Sequence, residues 1–135
     1  MIHTASFYEE WNFGKKGRLV NIALNMPDWF AKHYSDREVI TNEILQPTWH
    51  MVYSRNAKIM SPDQYKKIYY NLLRERLIGN WLDLINGRQG PKNTFKLFGL
   101  KDGDTLLCWE KHGYFCHRKL VAELLRKNGI DVARK

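Results

Sequence analysis

The stretch Thr105-Leu106-Leu107-Cys108-Trp109-Glu110-Lys111-His112-Gly113-Tyr114-Phe115-Cys116-His117-Arg118-Lys119-Leu120-Val121-Ala122 joins an apolar run, a polar loop and the start of an amphipathic run, in that order. Thr105 to Trp109 is too short and too densely apolar for a surface helix, so it reads as a buried strand of the kind found in parallel sheets. From about His117 to Asn128, Leu120, Val121, Leu124 and Leu125 recur at helical spacing, and Gly129 supplies the stop. A Glu, two Cys, two His and an Arg fall within the eleven residues 108–118. In an α/β protein the carboxyl end of a strand, facing the amino end of a helix, is where ligands collect. One segment therefore predicts both a fold class and the location of a site.

Working outward, Ile2 to Phe7 and Arg18 to Leu24 read as two further buried strands, the second ended by Pro27, with a polar, glycine-containing loop from Glu9 to Gly17 between them. Trp29 to Glu38 has a mixed pattern, with a short helical turn expected around Trp29-Phe30-Ala31. Pro47 to Tyr53 suggests a helix with proline in its first turn, where a missing amide costs nothing, closed by a loop from Ser54 to Met60. Ser61-Pro62-Asp63-Gln64 combines a cap, an N-terminal proline, an acid at the positive end and a capping-box partner. The helix it opens carries Tyr65, Ile68, Tyr69, Leu72, Leu73 and Leu77 at three- and four-residue steps and runs to Gly79. Asn80 to Asn86 reads as a shorter helix stopped by Gly87, Arg88 to Asn93 as a basic loop, and Asp102-Gly103-Asp104 as a turn into the strand at Thr105. Ile130-Asp131-Val132 suits a short terminal strand. The alternation of strands and helices predicts a single α/β domain over residues 1–135, with a mainly parallel sheet flanked by helices.

Composition bounds the function. The 135 residues are 44% hydrophobic and 27% charged, the balance of an ordinary globular chain rather than a disordered one. A chain of this length buries roughly 65 to 70 per cent of its unfolded surface, so no staple is required. No signal-type amino terminus is present, and no apolar run approaches the roughly 18 to 20 residues of a membrane span. A cytoplasmic protein without membrane attachment is expected, while nothing in the residues sets its oligomeric state. Cys108 and Cys116, the only cysteines, are expected to be reduced. Their spacing, with His117 beside Cys116, matches no common zinc pattern, so neither a metal nor a cofactor is expected. The net charge is +8, of which residues 111–135 carry +5. Such a field attracts phosphate-bearing partners, either nucleotides or nucleic acid, although a basic surface can also serve solubility alone.

Leu106-Leu107-Cys108-Trp109-Glu110 followed by Cys116-His117-Arg118-Lys119-Leu120-Val121-Ala122 resembles the carboxyl-terminal signature of the domain of unknown function 488 family. That signature is an apolar strand, Cys or Ala before Glu, and a Cys-His-Arg that starts a helix. Thr4-Ala5-Ser6-Phe7, Leu45-Gln46-Pro47-Thr48-Trp49 and Tyr65-Lys66-Lys67-Ile68-Tyr69 resemble the family's first strand, its central Leu-x-Pro-Ser/Thr-Trp segment and its paired-tyrosine helix. The resemblance covers most of the chain in order and implies a compact Rossmann-like α/β fold, but no activity. Trp11 to Gly17 and Lys32 to Ile44 follow no pattern of the family.

Each candidate residue has a chemical reading and a plain one. A helix dipole and Arg118 would favour the Cys116 thiolate as a nucleophile, yet Cys116 also suits a small apolar packing position. The phosphatase pattern of Cys followed six positions later by Arg is absent, because Cys108 reaches Tyr114 and Cys116 reaches Ala122. Arg118 offers a planar fork which, with the helix amides, suits a phosphate or carboxylate; it could instead pair with Glu110. Glu110 at the strand end could act as a general base or bind a sugar hydroxyl, or be merely solvated. His117 could donate a proton or bind phosphate, or simply start the helix. Tyr65 and Tyr69 share a helix face that turns toward either the site or the core, and Trp49 could stack on a base or lie in the core. These residues predict a protein that binds a nucleotide, nucleic acid or other phosphate-bearing ligand, with or without modifying it through Glu110 or Cys116, or else a non-catalytic module that holds a small anion or a protein partner.

Overall fold

Four short strands built from buried residues, β1 (His3–Ser6), β2 (Leu19–Asn21), β3 (Val39–Thr41) and β4 (Thr105–Cys108), form one sheet in the order β1-β4-β2-β3. The computed structural model describes residues 1–56, 60–110 and 116–133, with residues 54–56 described by backbone only. Every strand pair is parallel, with His3 opposite Thr105, Leu19 opposite Thr105 and Leu19 opposite Val39. β4, last in the chain, therefore lies between the two strands that come first. Ile2 also bridges Val132 in parallel, so the expected terminal strand is a single bridge outside β1.

Alternation along the strands divides the core in two. Val20, Ile22 and Leu106 join Tyr69, Leu73, Leu84, Phe98, Leu120, Val121 and Leu124 on one face of the sheet. That face is covered by α3 (Pro62–Arg76), α4 (Trp81–Ile85), α5 (Pro91–Phe98) and α6 (His117–Lys127). Leu19, Ala5 and Leu107 meet Phe7, Phe30 and Tyr34 on the other face, beside α1 (Phe30–His33) and a 3₁₀ turn over Glu10–Asn12. The molecule is thus an α/β protein with an all-parallel, Rossmann-like sheet flanked by helices.

The helix over 61–79 is α3, and its capping box is complete: Gln64 N donates to Ser61 Oγ at 3.2 Å, and Ser61 N to Gln64 Oε1 at 2.9 Å. It ends at Arg76, earlier than the glycine signal, with Leu77 closing the last turn. α2 (Trp49–Asn56) begins after Pro47, because Thr48 Oγ1 accepts from Met51 N and acts as the cap. Two elements lie where the sequence suggests none. β3 uses Val39-Ile40-Thr41 as an edge strand, and α5 replaces part of the loop assigned to Arg88–Asn93, with Pro91 in its first turn and Gly99 in the left-handed conformation at its end. Residues 57–59, within the expected loop from Ser54 to Met60, lie outside the described residues, as do residues 111–115 of the loop that follows β4. Among the described residues no helix is long and apolar enough to cross a membrane.

Candidate functional site

From β4 the chain passes to α6 on one face of the sheet; from β2 it passes to α1 on the other. Adjacent parallel strands whose connections diverge in this way leave a crevice beyond their carboxyl ends. Here it is a cavity of about 80 Å³, lined by Ala23, Leu24 and Asn25 after β2, and by Cys108, Trp109 and Glu110 after β4. Cys116 and His117 at the start of α6, Pro47 and Val52 near α2, and Tyr65 of α3 complete the wall. Two long-range hydrogen bonds hold the rim. Trp109 Nε1 donates to Asn25 O at 2.8 Å, and Gln46 Nε2 donates to Ala23 O at 2.8 Å.

Cys116 is the N-cap of α6 in an extended conformation, and no side chain caps the helix there. By their place in the first turn, the amides of His117 and Arg118 have no intrahelical acceptor and carry the positive end of the helix toward the crevice. His117 is buried and its Nε2 lies 2.6 Å from Ile22 O, while its ring meets Tyr69 edge-on at 5.4 Å. Burial, reinforced by the Arg118 charge and only partly offset by the Ile22 hydrogen bond, lowers the imidazole pKa to about 4. It is therefore neutral at neutral pH, with the Nε2 proton donated to Ile22 and Nδ1 left as an acceptor 3.6 Å from Cys116 Sγ.

Arg118 is the largest fully buried side chain. It does not line the crevice; it stands behind the wall, donating from Nη1 to Cys108 Sγ at 3.2 Å, while Nη2 has no partner. Burial works against its charge and lowers its pKa, and the carboxylates of Glu9 and Glu110 act in the opposite direction. Among the described residues no ion pair joins it to Glu110. An unpaired buried guanidinium nitrogen is costly, and the positive potential it supplies reaches the crevice through Cys108.

The sulfurs of Cys108 and Cys116 are joined, which corrects the expectation of two separate reduced thiols. The cause is tertiary. α6 folds back over the sheet and returns its first residue to the end of β4. The Cα atoms are 7.7 Å apart, wider than the roughly 4.4 to 6.8 Å usual for a disulfide.

The remaining predicted residues separate. Glu110 and Tyr65 line the crevice. Tyr69 is fully buried behind it, donating its hydroxyl to Leu45 O at 2.6 Å and meeting the His117 ring edge-on. Trp49 lies outside the crevice, 65% exposed and stacked on Tyr53 at 5.3 Å. Of the basic residues described beyond 115, Arg126 and Lys127 bond to Val132 O and Ile85 O at the far end of α6, away from the crevice. Sequence reasoning missed Ala23, Leu24, Asn25, Pro47, Val52 and Trp109 as wall residues. Their signal was positional: they follow β2 or β4, precede α2 or lie within it.

Fold and site together define a parallel α/β protein with a small crevice at the diverging ends of two central strands. Comparison of the chain with protein-family models, with curated proteins and with solved structures returned no match.

Proposed function

We propose that the chain binds a small phosphate-bearing ligand, such as a nucleotide, with its phosphate group in the crevice between β2, β4 and α6. The observation that carries this reading is the uncapped amino end of α6 at the crevice wall, backed by a buried Arg118 whose Nη2 has no partner. Free amides and a guanidinium are the donors that phosphate oxygens need. The size of the cavity suits one compact anionic group rather than a polymer track. Glu110 and Cys116 face the same space and are the groups that would act on a bound ligand.

The resemblance to the domain of unknown function 488 family belongs to this proposal. Its segments, scattered along the chain, supply Gln46 and Pro47, Tyr65, the end of β4, and Cys116 and His117 to the surroundings of one crevice.

Calorimetric titration of reduced, chelator-treated protein with inorganic phosphate and with a nucleoside monophosphate tests the reading. One saturable site is expected, weakened about tenfold or more in Arg118→Met, which removes the positive charge standing behind the crevice wall. Cys116→Ser should spare affinity and abolish any turnover. Absence of saturation with both probes would overturn the reading. A steep fall in nucleic-acid affinity with salt, spread over several phosphates, would move it to a polymer partner.

A further inference from the structure

The sulfurs of Cys108 and Cys116 and a carboxylate oxygen of Glu110 all lie within 4.8 Å of one another at the crevice wall. We infer that the reduced protein binds a thiophilic divalent cation of the zinc class through Cys108 Sγ, Cys116 Sγ and Glu110, with a fourth position open to the crevice. The two cysteines, eight positions apart, lack any familiar zinc spacing in the linear chain, and the fold removes that objection by bringing β4 and α6 together.

Three observations support the site. The Cα atoms stand 7.7 Å apart, wide for a direct sulfur–sulfur link but roomy enough for an ion held by bonds of about 2.3 Å to each sulfur. Two thiolates and one carboxylate carry three negative charges; a divalent cation leaves one, and the buried Arg118 guanidinium, bonded to Cys108 Sγ, balances it. Arg118 thereby becomes a positioning residue that favours the thiolate form, in the manner of groups that orient metal ligands from behind. Among the described residues three donors converge, the number found in reactive rather than closed structural sites, where the remaining position takes water or ligand. From the dithiol, binding displaces two protons to solvent with no change of oxidation state; the joined form excludes the ion until an external thiol reductant, itself oxidised to a disulfide, supplies the two electrons and two protons that open the link.

This inference does not rest on the phosphate reading, since each is measured without the other probe. Reduced, metal-free full-length protein titrated anaerobically with Co²⁺ in phosphate-free buffer should show sulfur-to-cobalt charge-transfer absorption that saturates at one ion per chain. Zn²⁺ should displace it. Cys108→Ser and Cys116→Ser should each weaken the band and lower affinity about tenfold or more, with circular dichroism checking that the fold persists. Glu110→Gln, at a half-buried position that leaves both sulfurs in place, should keep thiolate absorption but shift the ligand-field bands and weaken affinity. Lack of a thiolate band in the unmodified protein overturns the inference. So does a Co²⁺ spectrum and affinity unchanged in Glu110→Gln or in either folded Ser variant.

Discussion

Burial sets the chemistry of single side chains in this protein. Arg118, His117 and Tyr69 are polar residues in an apolar layer, and two of the three are anchored by one short hydrogen bond to a backbone oxygen: His117 to Ile22 and Tyr69 to Leu45. Arg118 differs in that Nη2 is left unmet among the described residues, a departure from the rule that buried polar groups are hydrogen-bonded. Tyr70, beside Tyr69, shows the energetic consequence on its own. Desolvation, helped by the Glu123 charge, pushes its pKa up to about 12, while its ring packs edge-on against Trp81 at 5.2 Å. In the unfolded chain the phenol ionises near 10. Its contribution is thus complete below about pH 10 and is lost as pH rises toward 12, where the unfolded state has released a proton that the folded state keeps. Urea unfolding at about pH 9 and about pH 11 should show this alkaline loss, and Tyr70→Phe should flatten it, leaving a residual slope from Tyr69, whose pKa is also raised by burial. An equal loss in the variant would place the titration elsewhere.

Elements with local signals were legible in sequence. The start of α3 was, because Ser61, Pro62 and Gln64 each satisfy a demand of the first turn, with no contribution from the rest of the fold. Ser61→Ala removes one half of the reciprocal pair and should cost about 1 kcal/mol, read as a lower urea midpoint with unchanged slope. Parallel β2 and β4 were visible as dense apolar runs. β3 and α5 were not. β3 is three residues long, half-buried at the sheet edge and set among charged neighbours, so its β-branched run has too little length to stand out. α5 buries only Thr94 and Phe98, and its opening Gly90-Pro91 resembles a loop signal until Gly99 is recognised as the matching stop. The pairing of Cys108 with Cys116 was illegible for another reason: the loop length between them says nothing about where α6 packs.

Across the whole molecule the two ends of the sheet have different duties. At the amino ends of the strands, Arg18 clamps Asp104 in a bidentate pair, Nε to Oδ1 at 2.9 Å and Nη2 to Oδ2 at 2.7 Å, and Asp104 is fully buried. The same carboxylate accepts from Lys101 N, and Arg18 also donates to Gly99 O, so the turn before β4 is tied to the start of β2. Nearby Gly17, at φ +92°, passes so close to Gly103 that a Cβ would sit 2.5 Å from its carbonyl oxygen. Asp104→Ala leaves a partly buried cation without its partner and should destabilise the fold by about 3 kcal/mol or more, seen in thermal and urea unfolding. Anion and metal affinities of the protein that remains folded should be unchanged, because the crevice lies at the opposite, carboxyl end. A parallel change in affinity and stability would mean that the two ends are coupled. By itself the sequence determined the parallel α/β class, the capped helix and the strand-to-helix segment that borders the crevice, since these follow from short-range periodicity, capping and turn chemistry. Only the tertiary structure decided that β4 inserts between β1 and β2, that Arg118 points inward behind Cys108, and that Cys108, Glu110 and Cys116 share one wall with Ala23 and Asn25. Strand order and side-chain convergence depend on which faces of distant segments bury one another, and no local pattern records that choice.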